Sequence, residues 1–548
     1  MQVFRSTYSA SGAGWTYDPA TGLALTDFNG GPIYADGDLD ICAVTASTVT
    51  GRAGVFSGRA ITVNGAMTLS DGGGKLTVNA SVYRNEADTT LYGSAIAAES
   101  VSLLGDYEVQ GNCTYNENYN WYYWTPSAYA IGAAATVTLG DSGVVRGGTY
   151  TVEQNVNYYG YNANAYAVSA DTVVMTGHSR VIGGAEVYSN GVAVRGVRAG
   201  IDARNITLCD WANVTGEIGC GWHHGNGGAI SITDDAVVDG RVMGDYYGTV
   251  SVSGSASITD GVFGGNVTIA GTPTITSKVN EWGYGGTLIG GQSVRINSNN
   301  LTLSAVGNNA IAVSASAVYI TGSGVTISGS GDYGYGVNAW QYLEITGNDV
   351  TITGGSGTDG NGGYGVSVNQ ADIRGNNVTI TGGSGVTGGT GIEINNGNNT
   401  YTPLMIRGNG TKIIGGAGTS GNGGDGIRLN NWSSNQYNYR VEITGQGTAI
   451  TGGDSDSGNG GSGITRSISQ NTNTYAEIKG DNTEITGGES RYGSGGYGIA
   501  LSTVNIYGKT TVQSGGGAGV YGILLDTDYY GVYFGLGSDG TCESWPRC

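Results

Sequence analysis

The sequence predicts an all-β chain: a single long parallel β-solenoid with three short strands per coil, capped at both ends. Three observations predict it. Residues 348–368, NDVTITGGSGTDGNGGYGVSV, return almost unchanged at 376–395 as NNVTITGGSGVTGGTGIEIN. Glycine fills 104 of 548 positions, roughly two and a half times ordinary usage, while proline numbers 6 and no G-X-Y period occurs, which excludes collagen. Apolar residues alternate with period two and nowhere with a helical period.

The chain reads as four segments. Residues 1–40 form an opening module that can cap the first coil. Their signature is Trp15, Tyr17, Asp18, Thr21, Gly22, Leu23 and Leu25, followed by Gly31, Ile33, Tyr34, Ala35, Gly37, Asp38 and Leu39. This pattern, with the later ITGG and GYGI repeats, resembles a family of cell-surface proteins from gut Firmicutes often labelled carbohydrate-binding-domain-containing. The resemblance covers most of the chain and implies an extracellular parallel β-helix in contact with glycans.

Residues 41–310 read as an irregular solenoid. Ala95, Ala130, Ala167 and Gly200 begin equivalent strands at spacings of 35, 37 and 33 residues. Residues 311–525 read as a regular one, with Gly-Gly pairs opening at 354, 382, 415, 452, 487 and 515. Those spacings of 28, 33, 37, 35 and 28 residues mean constant strands with insertable loops. Val350/Ile352, Val378/Ile380, Thr448/Ile450 and Thr483/Ile485 are the expected inward pairs. The turns 347–349, 375–377 and 480–482 carry residues that tolerate positive φ. About 15 coils at a strand spacing of about 4.8 Å would make a rod of roughly 70 Å. Residues 526–548 read as the second cap, since open coil ends expose strand edges.

Charge narrows the function. Acidic residues outnumber basic ones 43 to 23, for a net charge of −20, which opposes nucleic-acid binding. No run of 18 apolar residues occurs, so no membrane insertion is expected. MQVFRSTYSASGAGW has no apolar core of a secretory signal. The expected location is extracellular, on a cell surface or in a virion, with a signal removed or another route out. Cys42, Cys113, Cys209, Cys220, Cys542 and Cys548 follow no metal-binding spacing. Cys209 with Cys220, and Cys542 with Cys548, lie close enough to close small loops; buried free thiols are the equal alternative.

Four loop inserts share one composition: 114–124, 154–166, 395–402 and 430–440. They supply Tyr115, Tyr119, Trp121, Tyr122, Tyr123, Trp124, Tyr158, Tyr159, Tyr161, Tyr401, Trp432, Tyr437 and Tyr439 as glycan-binding candidates. Aromatic faces stack on sugar C–H surfaces and amides read hydroxyls. The first two inserts precede an AYA strand and the last two follow a GI-x-[IL]-N strand, so stacked coils should set them side by side.

Glu344, Asp372, Glu442 and Glu477 fall in one outward column beside Arg374, Arg407 and Lys479. Carboxylates about 5 Å apart match a retaining glycosidase pair, but an exposed charge ladder is the simpler expectation. His223 and His224 lack a third metal ligand, and His178 stands alone. The match of Gly354–Asp359 to a calcium-binding nonapeptide is not repeated at Ser420, so no metal and no cofactor is expected. The leading function is a non-enzymatic fibre or adhesin that binds glycans or cell-surface polysaccharide. A self-assembling subunit of a filament, sheath or capsid appendage, contacting identical subunits, comes second. A polysaccharide lyase or glycoside hydrolase comes third, because fold alone does not license an activity.

Overall fold

The computed structural model describes residues 2–4, 8–52, 58–84, 92–115, 127–147, 149–152, 164–188, 199–219, 227–280, 283–396, 402–431, 438–467, 473–517, 520–525 and 532–534. Every element among them is a β-strand, and the coils of both compact units, 1–265 and 266–548, stack as parallel sheets with three strands per coil. The chain is therefore a β-solenoid, as its repeats predict.

In the first unit, an antiparallel meander opens the stack: Ala10–Gly12 pairs with Trp15–Asp18, which pairs with Gly22–Leu25. Gly22–Leu25 then pairs in parallel with Leu39–Ala43, so the first edge of this column is covered by an antiparallel strand. A typical coil is Ser127–Ala133, Thr136–Leu139 and Val144–Arg146. Register makes single-residue columns inside. Val49, Val78, Val109, Val145, Val181, Val214 and Val238 succeed one another and are all sealed from solvent.

In the second unit the columns are as strict. Leu303, Ile327, Ile352, Ile380, Ile413, Ile450, Ile485 and Val512 form one. Ile296, Ile320, Ile345, Ile373, Ile406, Ile443, Ile478 and Ile506 form another. The expected inward pairs are buried, the two threonines included. Thr448 and Thr483 keep their hydroxyls satisfied by donating to Gly445 O (3.2 Å) and Gly480 O (2.8 Å), the start of their own turns.

Those turns divide the labour between two residue types. Asp349, Asn377 and Asn482 take φ of 55°, and Gly410 and Gly447 fill the same place in the coils between. The leading glycine does something else. A Cβ on Gly408 would lie 1.8 Å from the carbonyl oxygen of Gly375, and one on Gly375 equally close to that of Gly347. Coils touch backbone to backbone there, so no side chain fits. The residue between adds a ladder: Asn376, Asn409 and Gln446 each donate their N–H to the side-chain oxygen of the preceding coil's Asn348, Asn376 or Asn409 (2.8–2.9 Å).

Gly408→Ala should therefore cost about 1–3 kcal/mol by overpacking, whereas Gly286→Ala, which meets nothing within 4 Å, should leave the melting temperature unchanged. Thermal and urea melts of the two variants check this. Equal effects would remove close coil contact as the reason for the glycine columns.

Candidate functional site

The long strand of the second unit bends at a fixed point, visible as a break in period two. In Val366–Ile373, Val366 and Val368 point inward, and so do Ala371 and Ile373, leaving Asn369 and Gln370 outward in succession. The next coils insert chain at this elbow: between Ile392–Asn396 and Thr402–Ile406, then between Ile427–Asn431 and Asn438–Ile443. Asn395 pairs with Asn430 and Thr402 with Tyr439, so both ends of the two inserts sit in register one coil apart.

The inserts of the first unit leave at a different corner. Strand Tyr107–Tyr115 ends beside Thr149–Val152 with Tyr115 opposite Val152, and the chain re-enters with Ser127 opposite Asn164. These two inserts are also neighbours by their anchors. Each pair of inserts is thus anchored side by side at its own corner of the coil, as the shared repeat positions predict. Tyr119, Trp121, Tyr122, Tyr123, Trp124, Tyr158, Tyr159, Tyr161, Tyr401, Trp432 and Tyr437 lie outside the described residues, and Tyr115 is placed by its backbone alone.

Tyr439 is a correction. It is 1% exposed, because Tyr439, Val441 and Ile443 continue the inward face of their strand. Its hydroxyl donates to the Asn430 carbonyl (3.0 Å). It ties the return of the insert to its start and presents no face to a ligand.

The start of the inserts is clamped by a polar cluster that composition alone did not reveal. Glu393 is 4% exposed and accepts hydrogen bonds from Asn430 Nδ2 (3.2 Å) and Asn395 Nδ2 (3.4 Å). Asn395 also donates to Ser367 Oγ (2.8 Å), and Arg428 Nε donates to Asp425 (2.7 Å). Burial pushes the Glu393 carboxyl above its ordinary value, against the pull of Arg428 and the hydrogen bonds. Burial and the nearby Glu393 push the Tyr364 phenol up to about 12, and Tyr364 meets Tyr335 edge to face at 5.3 Å. The signal was present in the sequence as Glu393 and Arg428 at one strand position, facing outward where a covered carboxylate is not expected.

The carboxylate column has the expected register: Glu344 opposite Asp372, then Met405, Glu442 and Glu477. It is less exposed than a surface ladder, with Asp372 at 1% and Glu477 at 8%. Arg374 contacts Asp372 (2.7 Å) and Glu344 (3.4 Å), and Arg407 reaches Asp372 at 3.6 Å. Lys479 contacts Glu477 (3.1 Å) and Glu442 (3.5 Å), and Arg440 contacts both of these glutamates. Burial alone would raise Glu477, yet hydrogen bonds from Lys479 and Arg440 bring its carboxyl below the ordinary value. A general acid needs the opposite shift.

Two coils before the inserts, the same elbow carries aromatic side chains that sequence reasoning missed. A register shift around Trp340 leaves its indole 57% exposed. Tyr342 lies 6.0 Å from Tyr319 by ring centroids, and the Arg295 guanidinium sits 4.2 Å above the Tyr319 ring. The available signal was the alignment of SVRI, AVYI and YLEI, which puts Arg295, Tyr319 and Glu344 in one outward column.

The remaining candidates resolve simply. Cys209 is a free thiol whose Sγ lies 3.6 Å from Met175 O; Cys220, Cys542 and Cys548 lie outside the described residues. His178 stacks on Trp211 (4.8 Å, 9°), and His223 and His224 lie outside the described residues. No family model, curated protein or solved structure matches the chain.

The raised Glu393 predicts a pH effect of definite sign. Its stabilising contribution is whole below the unfolded carboxyl value, about 4.3, and declines as pH rises through the raised folded value. Glu393→Gln should therefore gain in melting temperature relative to the native protein as pH goes from 4 to 7. A difference independent of pH would contradict the assignment.

Proposed function

We propose that this protein is a non-enzymatic glycan-binding β-solenoid, displayed outside the cell or on a virion, that meets its ligand with inserts held on consecutive coils. The observation that carries the reading is the in-register anchoring of those inserts: Asn395 beside Asn430, and Ser127 beside Asn164. Sequence-distant Tyr-, Trp- and Asn-rich segments are thereby presented from adjacent points on each unit. The Glu393 cluster and Tyr439 fix where two of them begin and return, which lowers the entropy lost on binding. The likeness of the opening module to surface proteins labelled as carbohydrate-binding agrees with it.

The ion pairs along the carboxylate column argue against hydrolysis. Each of Glu344, Asp372, Glu442 and Glu477 is ion-paired with an arginine or lysine of the chain. No unencumbered nucleophile is left among the four.

A glycan array tests the proposal. The native protein should bind a restricted set of glycans. Binding should fall on replacing Tyr122, Tyr123 and Trp124 with alanine, or residues 432–437 with a Gly/Ser segment, while the melting curve is retained. A blank array with folded protein, or binding indifferent to both replacements, would overturn it.

A further inference from the structure

The elbow of the second unit offers more than a place for inserts. Arg295, Tyr319 and Tyr342 form a continuous outward path over three coils, by a guanidinium–ring contact of 4.2 Å and a ring–ring contact of 6.0 Å. Trp340, pushed out by the irregularity in its strand, stands exposed on the same elbow. Two coil steps of about 4.8 Å make this path about 9.6 Å long, enough for a short stretch of oligosaccharide. Gln292 and Gln341 occupy the elbow of the first and last of these coils.

Charge distinguishes this path from the column that follows. Arg374, Arg407, Arg440 and Lys479 are each held by carboxylates of the chain. Arg295 is exposed, and among the described residues it has no carboxylate partner. Glu344, opposite Tyr319 and the nearest acidic group by register, is engaged by Arg374 at 3.4 Å. In a chain of net charge −20, a lone cation over an aromatic ring is a local departure from the surrounding field. At physiological ionic strength that field is screened beyond about 8 Å, so contact chemistry decides what binds here.

We propose that Arg295, Tyr319, Trp340 and Tyr342 form a subsite for an acidic polysaccharide, with the indole stacked on a sugar ring and the guanidinium paired with a uronate carboxylate. This rests on the glycan-binding reading and adds the ligand's charge class and the residues that read it. Trp and Tyr supply the apolar platform at low entropic cost. Arg supplies a planar fork matched to a carboxylate, which a neutral sugar cannot use.

The probes are polygalacturonate and its fully methyl-esterified form, measured by calorimetry on the full chain. The native protein should bind the acid and bind the ester at least about tenfold more weakly, a difference of about 1.4 kcal/mol. Arg295→Gln should abolish that preference, and Trp340→Ala should weaken binding of both forms by about tenfold. Both side chains are exposed, so melting temperatures should not change. Equal binding of acid and ester by the native protein overturns the subsite while leaving glycan binding intact, as does acid binding unaffected by either substitution. Absence of binding to both probes also overturns the subsite, and the array decides separately whether the broader reading stands.

Discussion

Each coil has to lay its backbone directly on the one before it, at strand spacing, and the rest of the structure depends on that contact. Where two turns meet, the approach is so close that a Cβ on Gly408 would enter the carbonyl of Gly375. Glycine at these points is required by space, not by an unusual backbone angle. The angle is supplied two residues later by Asp349, Asn377 or Asn482. Because parallel strands in register stack like on like, the same contact brings isoleucine over isoleucine inside and asparagine over asparagine outside. A column of small free-energy terms, each repeated at every coil, takes the place of a three-dimensional core.

The same geometry explains where function can be added. Strand columns cannot absorb extra residues without losing register, because a one-residue slip exchanges the faces. Corners can, since lengthening a loop costs only slowly increasing entropy. In the second unit the elbow takes a bulge at Trp340 in one coil and whole inserts after Asn396 and Asn431 in later ones. In the first unit the inserts use the corner after Tyr115 and Val152. Residues bordering the elbow become partly covered although they face outward, which is how Glu393, Asp372 and Glu477 come to be buried carboxylates.

Most of the fold was legible in the sequence, because its information is local and periodic. Val378 and Ile380 alternate with threonines, and the turn beside them names its own φ requirement. Lys479 as a partner of Glu442 and Glu477 followed from aligning repeats, whereas Arg440, which contacts both, did not. What escaped was whatever depends on contacts across coils or on a change of strand parity. Asp372 reads as exposed from its strand position; Arg374 and Arg407 cover it. Tyr439 reads as part of an aromatic loop by composition, yet the pattern Tyr-Arg-Val-Glu-Ile already places it inward with Val441 and Ile443. Trp340 was missed because a bulge adds too little chain to register as an insert. The site was legible only as far as its anchors.

The central claim is that successive coils are stacked in register, and cross-linking measures it most directly. Asn376 and Asn409 are exposed neighbours on adjacent coils, joined by a 2.9 Å hydrogen bond, while Gln446 lies one coil further on. With cysteine at 376 and 409, mild oxidation should close an intramolecular disulfide, since Cα atoms at about 4.8 Å fall in the permitted range. With cysteine at 376 and 446, about 9.6 Å apart, it should not. Peptide mapping that found the second link and not the first would contradict the register, and with it the placement of every insert.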